Sequence, residues 1–289
     1  MDNLRGAVLM TLAMAGFALE DMLIKLMADA MPTWQIILLL GGGGASVFAV
    51  VAVSRRQALF SRNFLTGPVL LRSLGELIGT IGFVTALALT PISSASAILQ
   101  ATPLAVTLGA ALFLGETVGW RRWSAILAGF AGVVLVIRPG MSGFEPNSLF
   151  ALLAVVGLGM RDLVTRRVRG DVTSLQLSYL AFLTLIPASV ILASVSDRAW
   201  VAPEPQMWAL VGAAVLAGTL AYYAIVAAMR IGEVSYVTPF RYSRIIFALI
   251  VGVVVFDERP DAIMLAGAAI IVGSGIYTVW RERKLSLAA

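Results

Sequence analysis

Apolar residues run along the chain in ten blocks of about 20, separated by short clusters of arginine, glycine and proline. A helix rises 1.5 Å per residue and a bilayer's hydrocarbon core is about 30 Å thick, so each block is long enough for one crossing. On that ruler the spans fall at 6–27, 34–54, 68–89, 92–114, 122–138, 147–165, 174–196, 206–229, 234–256 and 260–281. The links between them are too short to fold into a separate soluble domain.

The blocks repeat. Gly16-Phe-Ala-Leu-Glu-Asp-Met-Leu-Ile-Lys25 returns 141 positions later as Gly157-Leu-Gly-Met-Arg-Asp-Leu-Val-Thr-Arg166, so Asp21 matches Asp162 and Lys25 matches Arg166, while Glu20 has become Arg161. Ala86 and its followers can be laid on Ala227 onward, Gly115-Glu116 on Asp257-Glu258, and Leu127-Ala-Gly129 on Leu265-Ala-Gly267. The division predicted is 1–140 and 141–289, each with five spans. Five is odd, so the second half must lie upside down relative to the first. The expected fold is an all-α integral membrane protein of ten transmembrane helices in two inverted five-helix repeats, a plan in which sites form near the midplane.

Composition agrees and removes several chemistries. The 289 residues are 60% hydrophobic and 13% charged, with mean hydropathy +0.93. Without cysteine there are no thiolate nucleophiles or zinc-thiolate sites, and without histidine any proton step falls to a carboxylate, Lys or Tyr. The net charge of +5 does not suggest nucleic acid, because the basic residues sit in pairs between apolar runs. With the amino terminus in the cytoplasm, 13 basic residues fall inside (Arg5, Arg55, Arg56, Arg62, Arg121, Arg122, Arg166, Arg167, Arg169, Arg230, Arg281, Arg283 and Lys284) against 3 outside (Arg138, Arg198 and Arg259). Both termini are therefore expected in the cytoplasm, with the first span retained.

The remaining charges lie within spans, where each is expensive and normally faces a cavity or a partner. Counting rise per residue puts Glu20 and Asp21 in the outer half of the first span, about 20 Å from its cytoplasmic end, and Arg161 and Asp162 in the inner half of the sixth. Two polar sites on opposite sides of the midplane are expected. Adjacent residues point about 100° apart on a helix, so one of Glu20 and Asp21 is expected in the cavity and the other on Lys25. Arg72, Glu76, Arg241 and Arg244 lie roughly 6 to 15 Å deep. Glu76 can pair with Arg72, four residues before it, or with an arginine of the ninth span. Trp34, Tyr179, Tyr222, Tyr223, Tyr236, Phe240 and Tyr242 are candidates for an aromatic wall, whereas Trp120, Trp123, Trp200, Trp208 and Trp280 lie near span ends as interfacial anchors.

Small residues such as Gly41 to Gly44 and Gly129-Phe-Ala-Gly132 read first as close helix packing. Pro91, Pro103, Pro187 and Pro239 can free backbone carbonyls or kink a helix. No phosphate-binding loop, catalytic triad signature or metal motif is present, which argues against ATP-driven transport and familiar hydrolases.

Leu114-Gly-Glu116 closing the fourth span, Gly129-Phe-Ala-Gly132 after it and Phe256-Asp-Glu258-Arg-Pro260 in the second half resemble the drug/metabolite transporter superfamily, in its EamA-type branch. The opening residues Met1 to Asp21 and Pro239-Phe-Arg-Tyr-Ser-Arg244 are similar to bacterial members that include riboflavin transporters. The resemblance implies a secondary transporter of the bacterial inner membrane working by alternating access. Its expected partners are a small-molecule substrate, the lipid bilayer and protons, with no cofactor, no metal and no nucleic acid. Riboflavin uptake is the leading substrate reading. Export or exchange of amino acids or related metabolites such as S-adenosylmethionine stays open, as does a membrane-embedded enzyme. Arg241, Arg244, Tyr242, Tyr222 and Glu76 are expected to bind substrate, and Asp21, Asp162 and Glu20 to serve gating or proton coupling.

Overall fold

A computed structural model describes residues 2–115, 119–141, 143–165, 167–168, 172–231 and 234–286, with the backbone alone at 230, 234, 235 and 282–286. Ten membrane-length spans appear among the described residues, within a few residues of the blocks read from the sequence. They are built from α1 (Asp2–Ala28), α2 (Thr33–Ser54), α3 (Gly67–Leu89), α4 (Ile92–Leu99) with α5 (Thr102–Phe113), α6 (Trp120–Ile137), α7 (Ser148–Thr165), α8 (Ser174–Leu183) with α9 (Leu185–Ser194), α10 (Pro205–Ile231), α11 (Val234–Val237) with α12 (Ser243–Phe256), and α13 (Ala262–Ser286). The expected span-closing Glu116 and Arg166, the counterpart of Lys25, lie outside the described residues, as do Arg169 and the side chains of Arg230, Arg283 and Lys284.

Three spans are broken, each next to a proline. Pro103 has no N–H to offer Leu99, four residues back, and the Thr102 hydroxyl takes that carbonyl at 2.6 Å. Pro187 likewise cannot bond Leu183, where α8 ends. Pro239 opens a 3-10 turn over Thr238–Tyr242 before α12. Irregular backbone at this depth is tolerated only where protein or a cavity satisfies it.

Helix pairing follows the inverted repeat. α1 lies along α10, and its counterpart α7 lies along α3; α2 packs on α8 and α9, and α6 on α13. Hydrophobic driving force is absent between helices in lipid, so close approach has to come from small residues. Gly157 faces Gly75 and Gly79, and Gly16 faces Ala217 and Ala221. That contact repeats with an offset of 142 between α3 and α10, which moves the register one residue from the pairing of Ala86 with Ala227. Gly132 and Gly267 face each other's carbonyls, where an added Cβ would stand 2.8 Å from the oxygen in either direction.

Candidate functional site

Between the halves lies a cavity of about 520 Å³, walled by α1, α3, α7, α10 and the broken spans. All eight residues expected in binding or gating border it: Glu20, Asp21, Glu76, Asp162, Tyr222, Arg241, Tyr242 and Arg244. The two polar sites expected in the separate halves, Asp21 and Asp162, border this one space. Arg72 and Arg161 border it too, so among the described residues four carboxylates face four arginines.

The pairings differ from those read along single helices. Arg244 Nη2 lies 2.8 Å from both oxygens of Asp21, and its Nε lies 3.1 Å from one. The guanidinium also sits between the rings of Phe17 and Phe83, 5.2 and 5.1 Å from their centroids. Glu76 keeps its neighbour Arg72 at 3.6 Å, but its other oxygen accepts from Arg161 Nη1 at 3.0 Å rather than from Arg241 or Arg244. Arg161 Nε also donates to Asp162 at 2.8 Å, and Arg241 approaches the far oxygen of Asp162 at 3.9 Å. The inversion sets α7 against α3, which brings Arg161 to Glu76 in place of a residue from the ninth span.

Lys25 does not pair with Asp21. Its ammonium donates to the carbonyls of Leu87 at 3.2 Å and Thr90 at 2.5 Å, the unpaired acceptors at the C-terminal end of α3, where the helix dipole also favours a cation. Beside it, the Glu258 carboxylate accepts from the backbone N–H groups of Ile92 at 2.5 Å and Ser93 at 3.1 Å, and from the Ser93 hydroxyl, holding the first turn of α4. Arg198 donates to the carbonyls of Ala28 and Asp29 nearby. These ties close one end of the bundle. Toward the other end the cavity is lined by Thr165, Ser174 and Met229.

Two of the three broken spans, α4 with α5 and α11 with α12, touch at their breaks, where Gln100 Nε2 donates to the Arg241 carbonyl at 3.1 Å. Sequence reasoning passed over Gln100, whose one signal is its place just before Pro103. Arg161 carried a clearer one, since it occupies the position of Glu20 in the duplicated motif.

Among the aromatics, Tyr222 packs edge-on against Phe48 and Phe182 at 5.9 and 6.3 Å and borders the cavity. Tyr223 is 67% exposed on the outer face, and Trp34 sits with Trp200, its indole donating to the Arg198 carbonyl; neither borders the cavity. Tyr242 is buried, with its ring lodged where Gly275 of α13 leaves room, so only part of it meets the cavity. Glu20 faces Gly218 of α10, where a Cβ would stand 2.6 Å from the carboxylate carbon.

The sequence matches the model of the EamA-like transporter family twice, over residues 4–138 and 146–280. The chain belongs to that family. It is 33% identical over 233 residues to a riboflavin transporter of Vibrio cholerae, covering 79% of this chain and 76% of that one. It is also 25% identical over 235 residues to an S-adenosylmethionine uptake transporter of Rickettsia conorii, covering 81% and 78%. A crystal structure at 21% identity shares the fold, with a TM-score of 0.59 over 95% of this chain and 98% of the other. This EamA-family member is thus a multi-pass membrane transporter.

Proposed function

We propose that the chain carries riboflavin across the bacterial inner membrane, taking it up by alternating access. The observation that carries this reading is the cavity's lining: among the described residues four arginines against four carboxylates, with Phe17, Phe83, Phe182 and Tyr222 on the walls. Opposite charges matched in number beside flat rings suit a neutral solute with a planar ring and a polyhydroxyl tail. Its volume falls within the range of about 300–1,000 Å³ usual for small-molecule pockets. The riboflavin transporter of Vibrio cholerae, at 33% identity, supports the same assignment.

The arginine bias of the loops supports a cytoplasmic position for both termini. The end tied by Lys25 and Glu258 is then the external seal, and the conformation faces inward. Asp21, Asp162 and Glu20 are the groups for gating or proton coupling. The chain acts as a carrier rather than an enzyme.

A second reading is uptake or exchange of S-adenosylmethionine, favoured by the Rickettsia conorii relative and by the Glu20 carboxylate bordering the cavity. A strain that requires riboflavin separates the two. Growth on trace vitamin that depends on this chain supports riboflavin uptake. Unchanged growth, with labelled S-adenosylmethionine accumulating instead, supports the second reading. Proteoliposomes that show counterflow of neither solute would remove both.

A further inference from the structure

Among the described residues four arginines border the cavity, and three of them reach a carboxylate and leave no buried donor unpartnered. Arg244 is held by both oxygens of Asp21 and by two aromatic rings. Arg161 spans Glu76 and Asp162. Arg241 leans on Asp162, and its backbone carbonyl accepts from Gln100.

Arg72 is different. Its side chain is the most enclosed of the four, at 3% exposure against 14% for Arg244, 18% for Arg161 and 31% for Arg241. It is also the one of the four that leaves buried donors without a partner among the described residues. Nη2 lies 3.6 Å from Glu76 and 3.5 Å from the Tyr222 hydroxyl, both at the outer edge of hydrogen bonding, while Nε and Nη1 have no partner. The Glu76 oxygen that faces Arg72 makes no hydrogen bond either, so the two groups stand at ion-pair distance without satisfying each other, while the other oxygen is held by Arg161 at 3.0 Å. A buried guanidinium with open donors is costly, and the cost is recovered when an acceptor arrives. Tyr222 is fixed beside it by Phe48 and Phe182, so its hydroxyl is positioned before any ligand binds.

We propose that Arg72, with the Tyr222 hydroxyl next to it, is the subsite that receives an acceptor oxygen of the transported solute, while Arg161, Arg241 and Arg244 hold the cavity's shape. This rests on the transport reading above. The oxygen is a ring carbonyl if the solute is riboflavin and a carboxylate if it is S-adenosylmethionine.

Purified protein in detergent can be titrated with riboflavin by fluorescence quenching, and with labelled S-adenosylmethionine by equilibrium dialysis. Arg72→Gln should weaken binding of the solute that the wild type takes by about tenfold or more, the loss of a charge-assisted hydrogen bond. Its melting temperature without ligand should stay at or above the wild-type value, and the rise on adding ligand should disappear. Arg72→Lys, which keeps the charge but has fewer donors, should bind between the two. Tyr222→Phe should weaken binding less than Arg72→Gln does. Arg72→Gln that binds within twofold of wild type overturns the assignment. If Arg72→Gln does not fold, wild-type binding by Arg72→Lys together with Tyr222→Phe overturns it equally. Should the wild type bind S-adenosylmethionine and not riboflavin, the riboflavin reading fails, and the same variants then judge the subsite on that ligand. Binding of neither by the wild type rejects both the reading and the subsite.

Discussion

Arg244 and Asp21, separated by 223 residues of chain, are joined by three contacts of 2.8 to 3.1 Å deep within the bundle. Asp21 is 2% exposed, and the rings of Phe17 and Phe83 shield the guanidinium from water. Removing one member of such a pair strands a buried charge, which costs about 3–5 kcal/mol, whereas removing both costs far less. Asp21→Asn and Arg244→Gln should each lower the melting temperature in detergent, and the double variant should recover most of the loss. Additive losses would show that the two side chains are not coupled.

Close helix approach makes a second contrast. A Cβ at Gly75 would stand 2.7 Å from the Arg161 nitrogen and 2.8 Å from the Gly157 carbonyl, both backbone atoms that cannot swing aside. At Gly42 nothing lies within 4 Å. Gly75→Ala should therefore destabilise by about 1–3 kcal/mol by forcing α3 and α7 apart. Gly42→Ala should be neutral or gain up to about 1 kcal/mol from helix propensity. Thermal unfolding of the two variants side by side checks the difference.

The ties at the closed end give a third. Glu258→Gln weakens the hold on the first turn of α4, and Lys25→Gln removes the cation at the end of α3. Each should shift the carrier toward the state open at that end. The chain has no cysteine, so Val84→Cys, on the cavity wall, provides a single thiol. Labelling of that thiol by an impermeant maleimide from the closed side should be slow alone and several-fold faster with Glu258→Gln. Equal rates would mean that the tie does not control opening.

Asp261 accepts from Arg138, joining the end of α6 to the start of α13, and also accepts from the Met264 N–H at 2.8 Å. The Arg138 hydrogen bond, with that from Met264, holds its carboxyl below the ordinary carboxylate range. A group depressed in the folded state adds stability above its unfolded pKa of about 3.9 and loses it as pH falls through the folded value. Melting temperature should thus fall between about pH 4 and pH 3 more steeply for the wild type than for Asp261→Asn. Parallel curves would assign the acid sensitivity to other carboxylates.

Span positions were legible in the sequence because span length is a single-helix property and the bilayer fixes it. Proline likewise marked the breaks at Leu99, Leu183 and Val237, since a missing N–H acts locally. The eight candidate residues all border the cavity because a polar side chain in an apolar run has few places to go. Their partners were not legible. Lys25 is one turn from Asp21 along α1, yet it reaches the carbonyls of α3, and only the packing of the two helices reveals those acceptors. Glu76 met Arg161 because the repeats are antiparallel around the cavity, a relationship that depth along separate helices does not encode.

The two halves share a backbone plan but not a charge plan. Arg161 of α7 meets Glu76 of α3, and at the matching place Glu20 of α1 meets Gly218 of α10. In alternating access each repeat takes up the shape the other has left, so identical halves would leave the inward and outward forms equal in energy. Here one half carries an ion pair into the exchange and the other a carboxylate beside a glycine. On the transport reading, the duplicated motif is thus the place where the energies of the inward and outward forms would be set apart before any solute or gradient acts.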